Sequence, residues 1–208
     1  MRRIRISDIS MGHYLKLFGR SAMFLASLAL YLTGRLAEEL IRDFTAARVF
    51  ALFIWAVFII EMLMKYFPLG FESMGCQKQF AKNYIPTKNA NNVPEKDLRI
   101  YDRGALLILI FWILLNGIVA ILYFTHIIDR GILVLISLLY SVSDMICILF
   151  FCPFQPWFMK NKCCISCRIY TWDYILMFTP LLMIRNFFTC SLCITALGLM
   201  LRWEYIYR

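Results

Sequence analysis

The sequence predicts an all-α fold, a polytopic integral membrane bundle of about five transmembrane helices. Two observations carry that reading. Hydrophobic residues make up 62% of the 208 positions, well above the roughly 45–50% apolar share of soluble proteins. Five apolar stretches also approach the ~20 residues that a helix needs to cross a hydrocarbon core about 30 Å thick. A water-soluble core of this composition would leave apolar surface uncovered, whereas lipid accepts such a chain if its backbone polar groups are satisfied within helices. The alternating segments of a membrane β-barrel are not seen in the pattern.

The spans read as 17–34, 48–67, 104–128, 132–151 and 173–201, in a single transmembrane domain over 1–208. The first carries Arg20 near its start, and the basic Met1-Arg2-Arg3-Ile4-Arg5 before it is not followed by a small-residue cleavage site, so it reads as an uncleaved helix. The third and fourth are joined by Asp129-Arg130-Gly131, which makes them an antiparallel hairpin. The fifth would be about 43 Å long as one helix at 1.5 Å per residue, longer than a bilayer core is thick. Either it tilts and kinks near Pro180 as a single span, which is the preferred reading, or it breaks near Arg185-Asn186 into two pieces and gives six segments.

Basic residues concentrate before the first span and in loops 68–103 and 152–172. The positive-inside bias therefore places the N-terminus and both loops on the cytoplasmic side of the cell (inner) membrane, with the C-terminus outside if the spans number five. Trp157, Tyr170, Trp172 and Tyr174 then belt the inner interface, and Trp203, Tyr205 and Tyr207 the outer one. The formal charge of +9 is spread over loops and spans without forming one basic face, so it points to topology and anionic lipid, and no nucleic acid is implied. The expected partners are the lipid bilayer and a membrane protein or a second copy of the chain.

Eight cysteines stand out. Cys152, Cys163, Cys164 and Cys167 lie in the last cytoplasmic loop, and Cys76 in Ser73-Met74-Gly75-Cys76-Gln77 is expected on the same side. Reduced thiols in such a compartment point to metal or redox chemistry more often than to structural disulfides. The Cys164-x-x-Cys167 spacing lets two thiolates bind one ion from one turn, and a tetrahedral zinc or an iron–sulfur cluster needs four ligands. Neighbouring cysteines point apart, so Cys76, Cys152, Cys164 and Cys167 form the expected metal set, with Cys163 spare. The plainer readings are small interfacial packing residues, or S-acylation beside Lys160 and Lys162.

Cys190-Ser191-Leu192-Cys193, followed by Ile194-Thr195, lies within the last apolar stretch. Those six residues resemble the intramembrane redox pair of the vitamin K epoxide reductase family. The resemblance implies a dithiol at Cys190 and Cys193 that reduces a quinone. The family also carries a second, outer cysteine pair that shuttles electrons, and the outer loops expected here hold none. Packing of small residues against a neighbouring helix is the alternative.

Ionisable groups inside a bilayer cost several kcal/mol unless paired. Glu61, Asp144 and Arg185, with Asn116 as a neutral partner, fall at depths that let them meet in one buried polar cluster able to bind a cation or relay protons, or simply to fix helix packing. Lys65, four residues after Glu61, offers a second neutralising partner within the same helix. The two histidines, His13 and His126, fall near opposite faces, which disfavours bis-histidine haem ligation, and nucleotide-binding and hydrolase motifs are missing.

The leading functional expectation is a small inner-membrane protein with a cytoplasmic-face cysteine metal site, zinc or iron–sulfur, acting in electron transfer or as an accessory subunit of a membrane complex. The alternatives are an ion or proton transporter or channel subunit built on Glu61, Asp144 and Arg185, and a membrane dithiol oxidoreductase built on Cys190 and Cys193.

Overall fold

A computed structural model describes residues 8–33, 46–66, 95–159 and 172–207. It is helical throughout these segments, with no β-strand among the described residues. The helices are α1 (Asp8–Leu32), α2 (Ala46–Tyr66), α3 (Glu95–Phe124), α4 (Arg130–Leu149), α5 (Asp173–Phe178) and α6 (Phe187–Tyr207). A π-helical turn at Gln155–Met159 follows α4, and a 3-10 segment at Thr179–Met183 continues α5. Helices α1 to α4 are long and apolar enough to cross a membrane. Their outward faces carry exposed Phe53, Ile60, Ile113, Leu114, Ile121 and Ile146, a surface that lipid covers without penalty and water does not.

The boundaries widen two of the expected spans. Helix α1 starts at Asp8 and α3 at Glu95, each well before its apolar stretch begins. The start of α4 is set by Asp129, whose carboxylate accepts the Ile132 amide at 2.9 Å as an N-cap. The preceding turn closes α3 with two backbone bonds, Ile127 N to Leu122 O and His126 N to Tyr123 O, with His126 at φ 59°. That is the left-handed C-cap arrangement usually filled by glycine.

Two helix pairs make the frame. The backbones of α1 and α4 run antiparallel in the closest approach of the bundle, with Tyr14 beside Phe150 at one end and Tyr31 beside Asp129 at the other. Gly131 permits that approach, because a Cβ there would stand 2.7 Å from the Tyr31 ring. The second pair is α2 with α6, which run parallel: Trp55 Nε1 donates to Ser191 Oγ at 2.8 Å, Thr195 meets Met62, and the Arg202 guanidinium lies 4.1 Å from the centre of the Tyr66 ring.

Between the pairs lies the short limb of α5 and the 3-10 segment, whose Tyr174, Met177, Phe178 and Leu181 join Met23, Phe58 and Met62 in the core. The limb runs antiparallel to α2, since Asp173 meets Lys65 and Phe178 packs edge-on against Phe58. The α3 helix lies outside, held by Ala105 and Ile108 under Phe154, Phe158 and Trp172, and by Trp112 against Tyr140 and Thr179.

The last apolar stretch is therefore not one continuous helix. Pro180 lacks the amide that would continue α5, the backbone tightens to 3-10, and Ile184 turns extended at φ −96°, ψ 110°. The chain then reverses into α6, which returns along α5 so that Cys193 Sγ lies 3.7 Å from the Phe178 carbonyl oxygen. The limb is about 19 Å long from its helical rises, too short to cross a core of about 30 Å. Both ends of this hairpin, Asp173 and Arg202, stand beside the C-terminal end of α2. The C-terminal end of α6 thus lies at the same end of the bundle as the N-terminal end of α1, the reverse of what five crossings require. Tyr174 is buried, not at an interface belt, and Tyr205 sits at the same end as Trp172.

Epitope tags fused before Asp8 and after Tyr207 should consequently be accessible from the same side of intact cells or sealed vesicles. Tags reached from opposite sides would show that the last stretch crosses.

Candidate functional site

The buried faces of three helices bring their charges to one point. In α1, Arg20, Met23 and Ser27 are buried at helical spacing; in α2, Phe58, Met62 and Lys65; in α4, Ser137, Ser141 and Met145. Each face is apolar except where it meets the others.

Arg20 is the centre. It is only 3% exposed, about three turns inside α1. One terminal nitrogen, Nη2, donates to Glu61 Oε2 of α2 at 2.7 Å, and the other, Nη1, donates to Asp144 Oδ2 at 3.1 Å and the Ser141 carbonyl at 3.2 Å, both on α4. Its guanidinium carbon lies 5.7 Å from the centre of the Phe58 ring and 5.9 Å from that of Tyr174, within cation–π range. The Tyr174 hydroxyl donates to Glu61 Oε2 at 3.2 Å. A second ion pair, Lys65 with Asp173, adjoins the first through the Tyr174 ring, 5.1 Å from Lys65 Nζ. Four helices thus contribute three carboxylates and two cations to one partly buried network.

Burying such charges is expensive, and mutual attraction in a medium of low polarity offsets the cost only with close geometry. The arrangement explains the positions of α1, α2 and α4. It also ties the α1–α4 pair to the α2–α6 pair through a single guanidinium.

Of the four residues expected in one polar cluster, the structure brings two together. Glu61 and Asp144 do share a site, but the cation between them is Arg20. Arg185 is exposed in the break before α6, because the reversal of the chain carries it away from the end of α2 where Glu61 lies. Asn116 is 4% exposed and donates to the Trp112 carbonyl at 3.0 Å, one turn away on its own helix and apart from the ion pairs. Lys65 turns to Asp173 on α5 in preference to Glu61 on its own helix. Arg20 was legible as a charge in an apolar stretch. What hid it was the span boundary at residue 17, which made it look interfacial when α1 begins at Asp8.

Of the expected thiolate ligands, Cys152 lies just before the π-helical turn, half-buried, while Cys76, Cys164 and Cys167 lie outside the described residues. Among the described residues no group of three or more histidines, cysteines or carboxylates gathers as a metal site does. Cys190 and Cys193 carry free thiols one turn apart on α6, at a depth between Trp55 and Met62 of α2, the middle of the bundle. Cys193 is buried with its Sγ against the Phe178 carbonyl, and Cys190 is exposed. Thr189 Oγ1 lies 2.6 Å from the Ile184 carbonyl and 2.9 Å from that of Asn186. The hydroxyl and the thiol thus add second donors to carbonyls around the break.

Comparison with known protein families, curated proteins and solved structures finds no match to the chain.

Replacing Arg20 alone leaves two buried carboxylates without their cation. Arg20→Met should lower stability by about 3–5 kcal/mol, and Arg20→Met with Glu61→Leu and Asp144→Leu should recover most of it. Thermal unfolding of the detergent-purified variants reads this, and an Arg20→Met protein as stable as the parent would deny the network its place in the fold.

Proposed function

We propose that the chain is a membrane transport protein that moves protons or small cations through a path containing Glu61, Arg20 and Asp144. The observation that carries this is the buried Arg20 held by carboxylates from two different helix pairs. Stability alone does not call for ionised groups there, since apolar residues of similar volume hold helices together as well or better. Ionisable groups at such depth are associated with ion and proton pathways. The broken hairpin of α5 and α6 adds to this reading, because interrupted apolar helices expose backbone polar groups within membrane transporters.

The geometry suggests how a proton and a movement are linked. With both carboxylates ionised, Arg20 binds α1 to α2 and α4 at once. A proton taken up by Glu61 removes that charge, weakens the tie between the two helix pairs, and leaves Arg20 on Asp144 within its own pair. The pairs are then free to shift relative to each other. Loss of the proton on the other side restores the tie. In this reading the end of the bundle shared by Tyr66, Glu95, Met159 and Arg202 faces the cytoplasm, the side favoured by the basic loop sequences that join there.

Purified protein reconstituted into liposomes with an internal pH indicator tests the proposal. A potassium diffusion potential should drive proton uptake above that of empty liposomes, and Glu61→Gln and Asp144→Asn should each slow it about tenfold or more, while Arg185→Gln keeps the parent rate. Equal rates in all variants, or no movement of protons, sodium or potassium by the parent, would overturn it. A colourless preparation free of zinc and iron is also expected. A stoichiometric metal that is lost in Cys164→Ser, in a protein that moves no ions, would favour the thiolate site at Cys76, Cys152, Cys164 and Cys167 instead.

A further inference from the structure

The charge site lies toward one end of the seam between α1 and α4, and a transported ion has to continue to the other. Helix α4 buries Ser137 and Ser141 one turn apart, with Asp144 one turn further on the same face. Ser141 is 0% exposed and Ser137 3%. Neither hydroxyl has a hydrogen-bond partner among the described residues, and neither does Arg20 Nε. Asn116 Oδ1 on α3 is likewise buried without a partner there. Because α3 runs antiparallel to α4 with the Trp112 ring tilted against Tyr140, Asn116 falls near the depth of Ser137.

Two orphaned hydroxyls one turn apart on α4 call for a shared explanation. A buried hydroxyl without a partner costs about 1–3 kcal/mol, and a serine inside a helix ordinarily avoids this by donating back to the carbonyl one turn earlier. Ser137 and Ser141 do not. Water molecules with two to four polar partners satisfy such groups inside proteins. At the far end the seam reaches the Tyr31 hydroxyl, which donates to Asp129 Oδ2 at 3.2 Å in an exposed position. Gly131 adds no side chain there.

From this geometry we infer that the α1–α4 seam is a hydrated proton path running from Asp144 past Ser141 and Ser137 to the Tyr31–Asp129 end. The inference rests on the transport reading and names its substrate as the proton. A hydroxyl both donates and accepts: a proton arriving at the Ser141 oxygen from one water is matched by release of that hydroxyl's own proton to the next, so no atom has to travel the seam. A metal cation moving whole would need a cage of several oxygens, and the seam offers two serine hydroxyls beside a fixed guanidinium.

Two measurements test it. In the liposome assay, Ser137→Ala with Ser141→Ala should slow proton uptake about tenfold, and Ser141→Thr, which keeps the hydroxyl, should slow it far less. In bilayers, water-edited solid-state NMR should show magnetisation passing from water to Ser137 and Ser141 as it does to exposed residues, and the transfer should vanish when both serines are valine. Parent-like uptake by the alanine double variant overturns the path alone. A parent protein that moves no protons overturns the transport reading beneath it. Serines beyond the reach of water overturn the hydrated seam whatever the flux.

Discussion

A guanidinium cannot lie bare among apolar side chains, and most of this bundle follows from where Arg20 finds its counter-charges. Its two ion pairs reach α2 and α4, so the depth and rotation of α1 are set relative to both. Tyr174 must then enter from a fourth helix to complete the hydrogen bonding of Glu61. Once it does, Asp173 falls beside Lys65 and the second pair forms. Apolar packing surrounds this point, but packing in lipid does not by itself choose a register. The ions do.

The broken hairpin is the other departure from a regular bundle, and neighbouring side chains bond to several of its carbonyls. The thiol of Cys193 serves the Phe178 carbonyl, and Thr189 serves those of Ile184 and Asn186. The reversal returns α6 along α2, brings Ser191 to Trp55 and closes the core over Met62. A continuous helix would have left the α2 face open and placed Arg202 at the opposite end. The break therefore belongs to the same design as the ion pairs: it lets a short limb bring Asp173 and Tyr174 into the site while the chain still ends beside Tyr66.

Much of this architecture is legible in the residues alone. The first four apolar stretches became helices of spanning length, because an apolar run near 20 residues has few other solutions in lipid. A tight connection between the third and fourth stretches was recognisable, but it lies at 125–129, and Arg130 and Gly131, expected in the turn, open α4 behind the Asp129 cap. The last stretch was ambiguous, since its length and Pro180 allow either a tilted helix or a break, and only tertiary contacts with α2 decide between them. In the site, Glu61 and Asp144 were evident as buried acids. Their partner was not, because a linear reading ranks cations by distance from a span's end and Arg20 looked shallow while Arg185 looked deep. Ser137 and Ser141 give no sequence signal, as serine is common in membrane helices.

The account turns on contact between the Arg20 guanidinium and the carboxylates of Glu61 and Asp144 in a lipid bilayer. Solid-state NMR of protein labelled with 15N in arginine side chains and 13C in carboxyl groups measures that contact through dipolar coupling. The account predicts strong coupling of one guanidinium to one glutamate and one aspartate carboxyl, lost in Arg20→Lys. A guanidinium at position 20 coupled only to water or lipid phosphate would contradict it.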